Sequence, residues 1–174
     1  MPSSSTSYAP GRGPAPAREA ATLTRRRSLG YQANHLARLL AHNIRIELEP
    51  LGVVPGQLAQ LLALYEEDGL TQTELCRRVQ IDQSTMTHTL KRMERDGLVT
   101  RSQDPADRRQ VIVSLADRAI EIEEEVVRAT GRVNAMAFGD LSDAEVDHLL
   151  TTFTKLIANL EAAPSGAASS GREA

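Results

Sequence analysis

From Leu29 onward, apolar positions recur along this chain mostly at helical spacing. Leu29, Ala33, Leu36, Leu40 and Ile44 step by threes and fours, which predicts an amphipathic helix ending before Pro50. Leu58, Leu61, Leu62 and Tyr65 continue the pattern in a second helix opened by Pro55, a residue suited to a first helical position. Thr71-Gln72-Thr73-Glu74 has capping-box spacing, so the next helix starts at about residue 72, with Leu75 and Val79 on one face. Gln80-Ile81-Asp82 is a short connection whose Asp82 caps a further helix from about Gln83. Met86, Leu90 and Met93 form the buried stripe of that helix, and Asp96-Gly97 stops it.

The period then changes to two. Leu98-Val99-Thr100-Arg101 has strand character, and Val111, Val113 and Leu115 alternate with Ile112 and Ser114 across a turn rich in Asp, Pro and Arg. This predicts a two-stranded hairpin. Beyond it, Ile122, Val126 and Val133 mark a long helix through about residue 137. Ser142 and Glu145 form a second capping box, opening a helix with the apolar stripe Val146, Leu149, Leu150, Phe153, Leu156, Ile157 and Leu160. The predicted fold is mainly α with a small two-stranded β wing: a winged helix-turn-helix, its module at about 55–115, between helices at about 28–48 and 117–161.

Length and composition change this picture little. A chain of 174 residues with 41% hydrophobic content can bury a real core, and its length suggests one domain, assigned to 25–161. Residues 1–24 and 162–174 are rich in Ser, Pro, Ala and Gly and are expected to be disordered tails. The first 27 residues hold five arginines and one acid, a composition that also suits a transit peptide or a phosphate-touching basic tail. No secretory or membrane-spanning run is evident, so a cytoplasmic location is expected. Charge is more telling when divided. The net is −3, yet residues 71–114 carry eight Lys or Arg against six Asp or Glu, which confines attraction for phosphate to the module.

The helix after Asp82 leaves Gln83, Ser84, Thr85, Thr87, His88, Lys91, Arg92 and Arg95 off its apolar stripe. Hydroxyl, amide and cationic side chains are what reading base edges in a major groove requires. Taken alone, they equally describe the solvated face of an ordinary helical hairpin. The wing tip decides between the two, because Arg108 and Arg109 beside Asp104 and Asp107 suit a narrow minor groove, with an acidic neighbour holding an arginine extended.

At this point the chain resembles the MarR family of bacterial transcription regulators. The resemblance covers roughly residues 28 to 160. It lies in Leu51 through Leu58, Leu70 through Leu75, Ser84-Thr85-Met86-Thr87, Leu90 through Val99, and Asp104 through Leu115. It implies that the Ser84–Arg92 face, with Gln83, reads bases, that Asp107 orients the wing, and that Arg109 enters the minor groove with Arg108 beside it. Thr71 and Gln72 are assigned to the same DNA-binding surface. Three departures matter. His88 stands where arginine is usual, removing a permanent charge and a bidentate fork and making DNA affinity responsive to pH. Ala116 follows Leu115 where a capping Thr is common, leaving Ser114 or Asp117 to substitute. Val54 stands where a capping Thr or Ser is common.

Seven large apolar residues in the last helix are more than one surface helix needs. They pack either on the helix of residues 29–48 or on a second copy about a twofold axis, and a homodimer is expected; such a dimer would read an inverted repeat in double-stranded DNA. The resemblance implies the same dimer, with N- and C-terminal helices interleaved, and a small anionic or phenolic ligand bound between those helices and the module. His35, Arg38 and His42, with Arg45, form a cationic stripe that could contact such a ligand or simply be solvated or paired at an interface. Zinc at His35 and His42 lacks evident further ligands. Cys76 reads as a small buried side chain, with a redox-responsive regulator as the alternative. No cofactor is expected. Enzyme activity has no support, since no phosphate loop, nucleophile elbow or Cys and His arrangement is present. The competing function is a winged-helix module that binds another protein. The resemblance makes the expected function a ligand-responsive repressor.

Overall fold

The computed structural model describes residues 25–163, and the two predicted tails fall outside these residues except for Ala162 and Ala163. The chain divides into two compact units, one through Leu39 and one from Leu40 onward. In the first unit a 3-10 turn at Arg25–Arg27 leads to Ser28, whose hydroxyl oxygen accepts the Tyr31 N–H at 3.3 Å and so starts helix α1, Leu29–Leu48. Leu29 and Leu36 of the predicted stripe are exposed here.

The second unit holds the rest of α1, where Ile44 and Leu48 are buried, and then α2 (Pro55–Glu66), β1 (Leu70–Thr71), α3 (Gln72–Val79) and α4 (Gln83–Arg95). There follow β2 (Val99–Gln103), β3 (Val111–Leu115), α5 (Asp117–Glu121), α6 (Glu123–Phe138) and α7 (Asp143–Glu161). The core joins Leu48, Leu61, Leu64, Leu75, Met86, Leu90, Met93, Leu98, Val113 and Val126, so the stripes of α1, α2, α3, α4 and α6 converge on the inner face of the wing.

Three details differ from the expectation. The sheet has three strands in the order β1-β3-β2, not two, because Leu70 pairs with Val113 and Thr71 with Ile112 beside the antiparallel wing. A two-residue strand leaves too little alternation to be read, and Thr71 also serves as the cap of α3. The long helix after the wing is broken at Ile122 into α5 and α6. Neither Ser114 nor Asp117 replaces the missing cap: Ala116 takes the extended cap conformation with no side-chain bond, and its N–H instead donates to the Leu98 carbonyl at 3.0 Å. Helix α7 forms with its predicted Ser142–Glu145 capping box, yet none of its residues is buried.

Candidate nucleic-acid interface

Two side-chain caps set the helix pair, the first of them reciprocal. The Thr71 hydroxyl oxygen accepts the Glu74 N–H at 3.2 Å, while the Glu74 carboxylate accepts the Thr71 N–H at 3.0 Å and its O–H at 2.7 Å. Those bonds hold the Glu74 carboxyl below its ordinary range. Asp82 accepts the Thr85 O–H at 2.7 Å and N–H at 2.8 Å, with the same consequence. Between the helices the chain reverses at Gln80, a non-glycine residue in the left-handed region (φ 56°), and the Ile81 N–H donates to the Cys76 carbonyl at 3.2 Å.

Burial of Met86, Leu90 and Met93 fixes which side of α4 faces outward. Gln83, Ser84, Thr85, His88, Lys91 and Arg92 are exposed on it, and Thr87 is half-buried. Part of this surface is already knitted together. The Gln72 amide donates to Gln83 Oε1 at 3.1 Å and to Thr87 Oγ1 at 3.0 Å, and the Thr87 hydroxyl donates to the Gln83 carbonyl at 2.7 Å. Thr71 and Gln72 are half-buried, their side chains engaged in the cap and in this link. Farther along, Arg95 pairs with Asp96 and Arg101 with Glu94.

At the wing tip, Asp104 accepts the Ala106 N–H at 2.7 Å, and the Gln110 N–H donates to the Asp107 carbonyl at 2.8 Å. Asp107 Oδ1 takes both the backbone N–H and the Nε–H of Arg109 at 3.1 Å. Arg109 is thus held at its backbone and through its guanidinium, whose Nη2 also reaches Asp107 Oδ2 at 3.4 Å, while its side chain stays 91% exposed. The same bonds, with Gln110, hold the Asp107 carboxyl below its ordinary range, so it stays an acceptor at neutral pH. Arg108 is exposed beside it.

Sequence reasoning missed the residues that hold the far end of α4. Gln57 is fully buried; its amide donates to Asp96 Oδ2 at 2.8 Å, and its Oε1 accepts the Val54 N–H at 3.1 Å, so the uncapped Val54 is served from the third helical position. That Val54-x-x-Gln57 spacing, half a capping box, was the available signal. Arg118 donates to the Asp96 carbonyl at 2.5 Å and to the Leu51 carbonyl at 2.7 Å, for which no sequence pattern is diagnostic. Arg95, then Gln57, lower the Asp96 carboxyl.

The predicted ligand residues are exposed. Arg38 Nη2 lies 3.3 Å from His35 Nδ1, His35 stacks against Tyr31 with ring centroids 6.2 Å apart, and His42 belongs to the second unit. Cys76 is buried, and burial followed by the Asp82 charge raises its thiol pKa, disfavouring the reactive thiolate. Among the described residues, no group of three His, Cys, Asp or Glu is placed to hold a metal, and no helix is long and apolar enough to cross a membrane.

A MarR family model matches residues 54–111, from the cap of α2 through the wing turn. The chain is 34% identical over 86 residues to the organic hydroperoxide resistance transcriptional regulator of Bacillus subtilis (strain 168), covering 49% of this chain and 58% of that protein's length. It is 35% identical over 100 residues to the uncharacterized HTH-type transcriptional regulator YwoH of the same organism, covering 58% of this chain and 72% of that protein. The structure of reduced AbfR bound to DNA superposes with a TM-score of 0.67 at 28% identity, covering 76% of this chain and 90% of that one. With the helix pair, the anchored wing and these matches in agreement, the chain belongs to the MarR family of transcription regulators.

Proposed function

We propose that this regulator is a ligand-responsive repressor that binds an inverted-repeat operator as a cytoplasmic homodimer. The observation that carries the DNA-binding part is the pairing of an exposed polar and basic α4 face with Arg109, whose guanidinium Asp107 orients while the side chain stays exposed to solvent. Ser84, Thr85, Thr87, His88, Lys91 and Arg92, with Gln83, meet base edges and phosphates in the major groove. Arg109 enters the adjacent minor groove, Arg108 meets backbone, and Thr71 and Gln72 complete the surface at the start of α3. That AbfR has been captured on DNA supports the same use of this fold. Dimerisation is supported by α7, whose Leu150, Ile157 and Leu160 remain exposed in the single chain. Ligand response is assigned to His35, Arg38 and His42, exposed along α1, whose nitrogen donors suit an anionic or phenolic molecule.

The test is duplex binding across a salt series. Log affinity falls linearly with log salt concentration, by roughly 0.9 for each neutralised phosphate. Failure to bind duplex at low salt would sink the reading and leave the protein-binding module in its place.

A further inference from the structure

The recognition helix α4 and the wing meet at Asp96–Leu98, and this junction is held by residues away from the candidate DNA face. Gly97 turns the chain in the left-handed region (φ 70°), the Leu98 N–H returns to the Met93 carbonyl at 2.8 Å, and β2 starts at Val99. Two separate links run from this junction to the turn between α1 and α2. One passes from the Asp96 carbonyl through the Arg118 guanidinium to the Leu51 carbonyl; the other passes from the Asp96 carboxylate through the Gln57 amide to the Val54 N–H. Both converge on the residue that caps α4.

We propose that Arg118 and Gln57 are positioning residues that lock the α1–α2 turn to the α4–wing junction, so that this turn sets operator affinity without touching DNA. The proposal rests on the DNA-binding reading above. Three observations support it. A guanidinium presents several donors in a rigid plane and can span two carbonyls, which the compact ammonium of lysine cannot reproduce. The guanidinium lies close against the turn: Gly52 sits at φ +64°, and a Cβ there would lie 2.6 Å from Arg118 Nη2, so Arg118 would have to shift. Gln57 is fully buried with both ends of its amide used, so removing it takes one partner from the Asp96 carboxylate and one from the Val54 N–H. Neither residue is on the exposed α4 face or at the wing tip. Each is suited to fix the angle between the two DNA-contacting elements, and a shift of the turn would be passed to both.

The experiment uses the full chain with two probes: a duplex enriched by the wild-type protein from a random-sequence pool, and poly(dI-dC). Arg118→Lys, which keeps the charge, is expected to weaken the enriched duplex by roughly 2- to 30-fold, the range for residues that act on a site without contacting the ligand. Affinity for poly(dI-dC) and the salt slope on both probes stay at wild-type values, because no phosphate contact is lost. Gln57→Met gives the same split, and the double variant loses less than the product of the two single losses, since both act on one junction. Arg118→Ala repeats the result if it folds by circular dichroism; the lysine variant carries the test if it does not. Unchanged affinity for the enriched duplex, or a parallel loss on both probes with a shallower slope, overturns the linkage. Failure of the wild type to enrich any sequence overturns the DNA-binding reading itself, and the linkage with it.

Discussion

Helices α4 and α7 are written in the same apolar period and end in opposite surroundings. In α4, Met86, Leu90 and Met93 are wholly buried, and every stripe position meets a core shared with α2, α3 and the wing. In α7, seven large apolar residues from Val146 to Leu160 include none that is buried, and Leu160 is 73% exposed. The difference teaches that an apolar stripe reports a demand for cover, and only the neighbouring elements determine whether one chain meets it. The winged module is complete within a single chain. Helix α7 keeps Leu150, Ile157 and Leu160 exposed, and the dimer proposed above would cover them.

The largest expected effect cuts into the complete half. Leu90→Ala removes a fully buried side chain and is expected to cost about 2–5 kcal/mol in denaturant unfolding. At a concentration where the chain sediments as a monomer, Leu160→Ala should stay within about 0.5 kcal/mol in the same measurement, while at higher concentration Ile157→Asp shifts sedimentation toward the monomer. Similar unfolding costs for Leu90→Ala and Leu160→Ala would erase the contrast between the helices.

The next effect separates the parts of the DNA-facing surface. Arg109→Ala is expected to weaken binding to most duplexes and to lower the salt slope by about one, whereas substitutions at Thr87 or His88 change which sequence is preferred. Equal effects of all three on every duplex would break this division of labour.

The smallest effect concerns the seam between α2 and α5, where the Tyr65 hydroxyl donates to the Ala119 carbonyl at 2.9 Å. Burial, then the charge of Glu123, push this phenol up to about 12. A raised value means that the neutral phenol stabilises the fold. That contribution is whole below pH 10 and is lost as pH rises toward 12. Ultraviolet titration should show a tyrosine ionising well above pH 10 that Tyr65→Phe removes, and Tyr65→Phe should flatten the alkaline loss of stability. Ionisation of every tyrosine near pH 10 would contradict this seam.

Much of the candidate site was legible because its determinants are short in sequence. Thr71 with Glu74, Asp82 with Thr85, Ser142 with Glu145 and Asp107 with Arg109 each lie two or three residues apart and bond as their spacing predicts. The same local rules placed Gly97 at the end of α4, where it adopts positive φ. They failed where a local signal was too brief or absent. Strand β1 is two residues long, and Ala116 and Ile122 carry no side chain that announces a cap or a break. Gln80 shows the limit from the other side, since a left-handed helix end there is occupied by a residue that gives no warning of it.

By itself, then, the sequence determined the periods, the caps, the polar and basic character of the α4 face and the chemistry of the wing tip, because each depends on residues within a few positions of one another. Tertiary structure alone decided that Gln57 reaches Asp96 across 39 positions, that Arg118 reaches Leu51 across 67, and that β1 joins the wing. Such pairs form only after loop closure and core packing have brought distant segments together, so no local spacing encodes them. They also decide how the legible parts are aimed. A helix face can be read from its own residues, but its angle to the wing depends on what grips its far end.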